Sequence, residues 1–533
     1  MLRRVIATVL LAVASTAVGP IAQVSGAQSV TGFPARDRVA GPDFNGDGYG
    51  DLAIGSVESE GADLFRGSVT VLYGTIAGLA ATDSQVWTQD SSGILDTSEA
   101  GDLFGASLAA GDFDGDGYAD LAVGVVGEDF APGENDAGAV NVLYGSAVGL
   151  TADGNQFWAQ NSPGIAEDPE PTDSFSQAMA VGDFDGDGYA DLAVGVPWED
   201  ISFGGDDGAV HVLFGSATGL TSAGSQYWNQ DTPGIPETAE PGDLFGSSLA
   251  AGNFGNGSQA DLAIGVHESV GIFFAAGAVH VLYGSAAGPS AANDQIWNQN
   301  RPGVEDGSEE ADYFGYSLAA ANLGNGSQAD LAIGVPYEDV NGQDDAGAVS
   351  VLYGTTEGLS ATGDQFWHQD STDVLDVAEA GDRFGYSLAT ADFGGVTTQD
   401  LAIGVPYETI QAPLDEHGAV SVVYGTTTGL TAAGNQLWWQ DSTGVNDLAE
   451  AGDSFGKTLT ARNFGSGARS DLAVGVPLED VGTAEDAGGV SVLYGTATGL
   501  SAAGDQFWTQ DSAGIGDAAE FLDEFGRAVV GVT

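Results

Sequence analysis

The residues best suited to chemistry lie in one short segment, residues 183–192, whose sequence is DFDGDGYADL. Its four carboxylates stand at positions 1, 3, 5 and 9, where they would repel each other unless a cation lay between them. Ca²⁺ takes six to eight oxygen ligands, and the intervening glycines allow the positive φ that a tight loop needs. We therefore predict a calcium site formed by Asp183, Asp185, Asp187, Asp191 and the backbone carbonyl of Tyr189.

Two further segments carry the same pattern and predict two further Ca²⁺ sites. The D-x-D-x-D-G opening is shared with EF-hand loops, but no Glu follows at position 12 and no helical pattern flanks the segments. Instead, residues 192–196 have the pattern of a short buried strand, which would place the cation at the tip of a β-hairpin. The predicted ligands are Asp112, Asp114, Asp116, Asp120 and the carbonyl of Tyr118 in one segment, and Asp43, Asn45, Asp47, Asp51 and the carbonyl of Tyr49 in the other.

Four later segments keep the frame of this loop but lose its ligands. Gly255 and Gly257 stand where the second and third ligands would be, so we interpret these segments as Gly-rich hairpin turns rather than metal sites. The closing Asp recurs at a nearly constant interval of about 70 residues, which indicates an array of one supersecondary unit. It falls at Asp51, Asp120, Asp191, Asp261, Asp330, Asp400 and Asp471.

Each unit contains four strand-like runs separated by Gly and Pro. The first run is rich in small residues and the fourth carries a tryptophan, as a wedge-shaped sheet with its narrow edge at an axis requires. Seven such wedges predict an all-β fold, a seven-bladed β-propeller of four-stranded antiparallel blades. We interpret the tryptophans as packing between blades, with a ligand-stacking platform as the alternative.

The first 27 residues have the features of a secretory signal peptide, with Arg3 and Arg4 before an apolar stretch and small residues at 25–27. The apolar stretch, residues 5–18, is too short to span a bilayer. We therefore expect a signal peptide over residues 1–27, a propeller over residues 28–533, and a protein secreted from the cell. The sequence contains no Cys, so disulfides and a thiol nucleophile are excluded.

The formal net charge is −66, and removal of two arginines with the signal peptide makes it −68. Such a charge excludes nucleic acid and anionic lipid as partners, because both are negative. We expect most of the acids to lie on solvated surface, and we expect neither membrane insertion nor oligomerisation, so that the protein is a monomer.

A second motif begins the units. Phe104-Gly105 precedes one acidic loop and Gly195-Val196-Pro197 follows another, and in this combination the chain resembles FG-GAP repeat proteins of the integrin α-subunit type. The resemblance covers about residues 38–533 and implies a seven-bladed head whose acidic loops bind Ca²⁺ between the first two strands of a blade. Integrins carry their complete loops in later blades and continue into further domains, so the likeness is greater to secreted bacterial FG-GAP proteins.

Other motifs that could indicate catalysis give only weak signals. Ser454 lies in a G-x-S-x-G match, but it occupies a variable position of the repeat and lacks a strand–turn–helix context. His211 and His280 share a position that other units fill with Ser or Asn, which predicts a solvated strand face. Paired acids such as Glu199 and Asp200 recur in nearly every unit, whereas a glycosidase needs one special pair. We therefore expect no enzyme activity.

The connectivity of the strands assigns the loops to two faces. Loops joining first and second strands, with the metal sites, lie on one face; loops joining second and third strands, and the links between blades, lie on the other. The second face collects many acids and corresponds to the ligand face of integrin heads. We predict an adhesion or protein-binding module whose unknown protein or glycan ligand binds there; the alternatives are a carbohydrate-binding propeller lectin and, below it, an extracellular hydrolase.

The end of the chain predicts how the ring closes. Residues 525–532 repeat the Phe-Gly strand without a hairpin after them, whereas the first unit has no Phe-Gly strand and holds Pro42. We predict that the C-terminal segment supplies the inner strand of blade one. In the alternative, residues 38–43 form that strand and the tail caps the outside.

Overall fold

The computed structural model describes residues 43–58, 65–130, 135–201, 205–271, 273–395, 398–410, 416–465 and 467–532. The predicted signal peptide, residues 1–27, and the segment that follows it lie outside these residues.

The described residues form 28 strands grouped into seven antiparallel four-stranded sheets, which confirms the predicted propeller. The sheets are numbered as blades in chain order. Blade one contains β1 (Asp51–Ser56), β2 (Ser68–Tyr73), β3 (Ala80–Trp87) and β28 (Ala528–Val532); blade two β4 (Phe104–Gly111), β5 (Asp120–Val125), β6 (Ala139–Tyr144) and β7 (Thr151–Trp158); blade three β8 (Ala178–Gly182), β9 (Asp191–Val196), β10 (Ala209–Phe214) and β11 (Thr221–Trp228); blade four β12 (Ser248–Gly252), β13 (Asp261–Val266), β14 (Ala278–Tyr283) and β15 (Ser290–Trp297). Blade five contains β16 (Ser317–Ala321), β17 (Asp330–Val335), β18 (Ala348–Thr355) and β19 (Gly358–Trp367); blade six β20 (Ser387–Ala391), β21 (Asp400–Val405), β22 (Ala419–Thr426) and β23 (Gly429–Trp438); blade seven β24 (Thr458–Arg462), β25 (Asp471–Val476), β26 (Gly489–Thr496) and β27 (Gly499–Trp508).

Burial follows the position of a strand within its blade. The second strand β9 is an almost continuous apolar run and is buried along its whole length, as a strand covered on both faces must be. The fourth strand β11 carries partly buried and exposed residues, because it forms the outer edge of the blade. The first strands of neighbouring blades contact each other, so their small residues lie nearest the axis, where the blades converge.

The ring closes through the C-terminus, as predicted. β28 pairs antiparallel with β1, with Val530 opposite Ala53 and Val532 opposite Asp51. Val529 and Phe525 join the apolar core between blades seven and one. The alternative, in which residues 38–43 provide the inner strand, is wrong.

Apolar cores fill the gaps between neighbouring blades. One core combines Val140 and Val142 of blade two with Leu192 and Val194 of blade three, and Trp158 packs against it. The tryptophans of the other blades take the equivalent place, which confirms their predicted role in packing between blades.

Candidate metal centre

The complete acidic loops of blades two and three join the first strand of a blade to its second. Residues 112–119 connect β4 to β5, and residues 183–190 connect β8 to β9, so each loop is the tip of a hairpin as expected. Blade one differs. Its loop leads from the N-terminal side into β1, while the inner strand beside it is the C-terminal β28. The expectation of a hairpin tip is therefore wrong for blade one, because ring closure brings the two strands from opposite ends of the chain.

Three carboxylates converge in each of two loops. Oxygen atoms of Asp112, Asp114 and Asp120 lie within 4.8 Å of one another. The same holds for the predicted ligands Asp183, Asp185 and Asp191 in blade three. Oxygens at such separations can share one hard cation, so these clusters could hold a metal ion.

The first aspartate of each loop also organises the backbone around it. Asp183 accepts hydrogen bonds from the N–H groups of Gly186, at 2.7 Å, and Gly188, at 3.2 Å. Both glycines have positive φ, 80° and 97°, a conformation that costs glycine little. Burial raises the pKa of Asp183, and its neighbours Asp185 and Asp187 raise it further. A bound cation would offset this cost of holding like charges together.

The fifth-position aspartates lie outside the three-carboxylate groups. Asp116 and Asp187 each accept the N–H of the tyrosine two residues later, at 2.9 and 3.0 Å. Asp47 makes the same bond to Tyr49 in blade one, and Asn45 accepts the N–H of Asp47 at 2.9 Å. These side chains thus stabilise the turn through a backbone hydrogen bond. Their role as Ca²⁺ ligands stays a prediction.

The closing aspartate has a structural function that the sequence did not reveal. In blade three, Asp191 accepts the N–H of Phe184 at 2.8 Å and that of Gly215 at 2.9 Å. The same pair of bonds recurs in every blade, which explains why this aspartate persists where the other ligands are lost. Burial raises the pKa of Asp191 to about 8, whereas the pKa of Asp471, in a loop without further acids, rises to about 7.

The tyrosine of one loop covers the loop of the preceding blade. A Cβ added to Gly46 would lie 2.6 Å from Cε1 of Tyr118, and one added to Gly115 would lie 2.5 Å from Cε1 of Tyr189. That the backbone carbonyls of Tyr49, Tyr118 and Tyr189 are Ca²⁺ ligands stays a prediction. Only glycine fits at positions 46 and 115, because any side chain would strike the ring.

The incomplete loops use other partners. In blade four, the N–H of Asn256 donates to the carbonyl of Thr356 in blade five at 3.1 Å. In blade six, the guanidinium of Arg469, from blade seven, pairs with Asp392 and donates to the carbonyl of Gly395 at 3.2 Å. A basic side chain thus contacts the first loop acid of blade six.

One interpretation from the sequence is wrong. His211 and His280 are almost fully buried, at 1% and 0% exposure, rather than solvated. His211 packs between Phe175 and Tyr227, and burial lowers its pKa to about 3. Glu199 is also buried, at 3% exposure, and accepts a hydrogen bond from the buried amide of Gln160. The signal that could have located this pair is the Gln that follows each repeat tryptophan by two residues.

Ser454 lies in a turn whose geometry recurs along the repeat. Its φ is 61°, and Leu103 and Arg383 at the same repeat position have φ of 57° and 59°. The residue is buried, and its hydroxyl donates to the carbonyl of Gly452 at 3.3 Å.

In the part of the chain that the structure describes, no helix has the length and the apolar character of a membrane span.

Comparison with known proteins finds a matching family model and similar sequences. The family model described as FG-GAP repeat matches residues 104–143 and 175–213, which cover most of the first three strands of blades two and three. The chain is 29% identical over 323 residues to phosphatidylinositol-glycan-specific phospholipase D of Bos taurus, covering 57% of this chain and 35% of that protein. It is 31% identical over 229 residues to the Homo sapiens protein of the same name, covering 42% and 25%.

Integrin α subunits are similar to a shorter part of the chain. Integrin alpha-7 of Rattus norvegicus is 32% identical over 181 residues, which cover 33% of this chain and 14% of the integrin. The chain spans about a third or less of the length of these relatives. The comparisons therefore support a shared propeller.

Proposed function

Because the chain is an FG-GAP repeat β-propeller related to integrin α subunits, we propose that it is a secreted, calcium-binding adhesion or protein-binding module. Secretion is supported by the signal-like residues 1–27. Calcium binding is supported by the convergent carboxylates of blades two and three and by the matching loop of blade one. In this proposal the three loops bind one Ca²⁺ each, with the fifteen ligand residues predicted from the sequence.

The observation that supports the binding role is a set of exposed hydrophobic side chains on the second face. Large hydrophobic side chains are exposed on its links and loops, among them Phe274 at 63%, Val377 at 61% and Phe521 at 51%. Leu95, Leu375 and Leu448 lie exposed on the equivalent links. Apolar side chains that form a contiguous exposed patch are typical of protein-interaction sites, and in this proposal those of the second face act together in that way. Four of these six side chains are aliphatic, which favours a protein partner over a glycan, whose rings stack on aromatic platforms.

The proposed role is binding rather than catalysis. The relatives include a phospholipase as well as integrins, so the question of enzyme activity rests on this chain's own residues. Ser454 is buried in a repeat turn, and His211 is buried against aromatic rings. Neither residue has the exposed position in a cleft that a nucleophile or general base requires.

Calcium binding is tested by counting bound ions. Asp185→Ala removes one of three convergent carboxylates and should lower the Ca²⁺ bound after equilibrium dialysis by one equivalent. We expect loop affinities on the order of 0.1 to 1 mM, as in other extracellular sites. Asp168→Ala, an exposed acid outside the loops, is the matched control and should leave the count unchanged. An unchanged count for Asp185→Ala would contradict the loop site.

Partner binding is tested by comparing the two faces. The immobilised propeller should retain a protein from culture medium, and the triple substitution Leu375→Ser, Val377→Ser and Phe521→Ser should abolish retention. Ile76→Ser with Val148→Ser removes two exposed hydrophobic residues, 77% and 84% exposed, from the opposite face and should have no effect. Equal retention by both variants, or binding only on a glycan array, would refute this role for the second face.

A further inference from the structure

A second set of acids recurs at the seams between blades. A Gln follows the strand-four tryptophan by two residues, three evenly spaced acids follow that Gln in the link to the next blade, and a Glu follows the second strand of that blade. The seven sets, called seam clusters below, are Gln89, Asp96, Glu99, Asp102 and Glu128; Gln160, Glu167, Glu170, Asp173 and Glu199; Gln230, Glu237, Glu240, Asp243 and Glu268; Gln299, Asp306, Glu309, Asp312 and Glu338; Gln369, Asp376, Glu379, Asp382 and Glu408; Gln440, Asp447, Glu450, Asp453 and Glu479; and Gln510, Asp517, Glu520, Asp523 and Glu58.

Each seam cluster joins two blades through its Gln. Gln89 of blade one donates to Glu128 of blade two at 2.8 Å, and Gln230 of blade three donates to Glu268 of blade four at 2.7 Å. The same bond occurs at all seven seams, including the seam where Gln510 donates to Glu58 at 3.1 Å. The seven glutamines are only 1–2% exposed, so these amides lie in closed pockets between blades.

The seam between blades six and seven shows why an amide nitrogen does not satisfy such a pocket. Gln440 Nε2 lies 3.1 Å from Asp447, 2.9 Å from Asp453 and 2.8 Å from Glu479, each distance to a carboxylate oxygen. An amide nitrogen carries two hydrogens, so it cannot donate fully to three acceptors. The other end of the same amide, Oε1, is buried without a hydrogen-bond partner.

That unpartnered oxygen is a feature of every seam. Oε1 of all seven glutamines is buried and has no hydrogen-bond partner. A buried carbonyl oxygen without a partner is costly, and seven equivalent cases point to a shared missing partner. A flip of the amide, which exchanges its oxygen and its nitrogen, would bring Oε1 to the convergent carboxylate oxygens. Oxygens crowd together in this way around a cation.

In the seam between blades five and six, the carboxylates are close enough to share an ion. Oxygens of Glu379, Asp382 and Glu408 lie within 4.8 Å of one another, and Oδ2 of Asp376 is buried without a partner in the same cluster. Glu408 is 1% exposed, whereas Glu379 is exposed and opens the cluster to solvent. Ionised acids this close and this buried require a positive charge.

We propose that the seam cluster between blades five and six binds a divalent cation, Ca²⁺ by its all-oxygen ligand set, through Gln369 Oε1 and the surrounding carboxylates, and that the ion clamps these two blades together. This site lies on the face opposite the acidic loops. The three loops and this seam together raise the expected capacity to about four ions per chain.

The decisive experiment removes the loop sites first. A chain carrying Asp47→Asn, Asp116→Asn and Asp187→Asn, together with Asp114→Ala and Asp185→Ala, is dialysed against about 1 mM CaCl₂ and its bound calcium is measured. This loop-deficient chain should still bind calcium. Adding Glu379→Gln with Glu408→Gln should then lower the count by one equivalent. The matched control, Glu310→Gln with Glu357→Gln, changes the same charge at exposed positions outside the seams and should leave the count unchanged.

Two results would overturn the proposal. One is a loop-deficient chain that binds no calcium, which would confine binding to the loops. The other is an unchanged count in the seam variant, which would show that protons rather than cations neutralise the cluster. If the double variant fails to fold, Glu379→Gln alone remains decisive, because its side chain is exposed. It should weaken one calcium site by about tenfold, and unchanged affinity would refute the site.

Discussion

The acidic loops of blades one to three and the corresponding loops of blades four to seven occupy the same place in the repeat, yet they meet the next blade differently. In blade one, the carbonyl of Phe44 accepts the N–H of Ser146, and the ring of Tyr118 covers Gly46. In blade four, the loop itself donates, from Asn256 N–H to Thr356, and Gly255 lies directly against the carbonyl of Thr355. The later loops thus gain backbone contacts at the positions where the earlier loops carry acids.

This difference shows that the same turn can carry acids in some blades and pack on the next blade in others. The closing aspartate holds the turn in all seven blades through the same two backbone hydrogen bonds. Because these bonds hold both ends of the turn, the remaining carboxylates can be lost while its middle rearranges: φ is positive at Gly188 but not at the equivalent Ser258. Where they are lost, the loop packs on its neighbour or contacts a basic residue, as Arg469 does at Asp392.

The largest expected effect concerns the loop of blade one, whose neighbouring inner strand comes from the other end of the chain. Deleting residues 525–533 removes a strand with several buried apolar residues, so the free energy of unfolding should fall by about 5 kcal/mol or more. The calcium site of blade one should be lost with it, while those of blades two and three persist. Urea titration and bound-calcium measurement check this, and a truncated chain that unfolds like the parent would disprove closure by the tail.

A substitution at the third loop position separates the two kinds of loop directly. Gly255→Asp should destabilise the protein by about 2–4 kcal/mol without creating a metal site, because Gly255 has φ of 125° and a Cβ there would lie 1.7 Å from the carbonyl oxygen of Thr355. Asn45→Asp, at the same position in blade one, should be tolerated and should tighten calcium binding. Thermal unfolding with and without calcium distinguishes them; equal tolerance of both would remove the proposed incompatibility.

A smaller effect is expected from the buried histidine of blade three, whose position in blade two is filled by Asn141. The pKa of His211 is lowered by burial to about 3, so the unfolded chain binds the extra proton first as the pH falls below about 6.5. Stability is therefore fully present above that pH and is lost towards pH 3, by up to about 1.4 kcal/mol per pH unit. His211→Asn should lower the stability at neutral pH through the smaller side chain but make this acid-side slope shallower. Parallel slopes for parent and variant would contradict the prediction.

The smallest effect concerns the ion pair in the loop of blade six. Arg469→Gln should reduce stability by about 0.5–1 kcal/mol, because both side chains are only 27% exposed, and the loss should shrink in molar NaCl. Arg66→Gln, from a more exposed pair with Asp90, is the control and should change stability less. A salt-independent loss would show that Arg469 acts by packing rather than by charge.

Short-range patterns in the chain were sufficient to predict the repeat, the number of blades and the position of the complete loops. Alternating carboxylates such as Asp112 and Asp114 are near neighbours in the chain, so their convergence follows from local geometry. The regular period of the units likewise needed only counting. Even the closure by residues 525–532 could be predicted, since an unpaired Phe-Gly strand needs a partner.

Which acids are buried, and what they face, depended on packing between blades. Gln369 and Glu408 lie 39 residues apart and on different blades, so no local pattern joins them; their contact exists because blade six closes against blade five. The same packing buries His211, which we expected on the surface, because its strand is covered on both faces. Burial at a seam requires both neighbouring blades to be in place, and for that reason the repeat alone did not reveal the seam clusters.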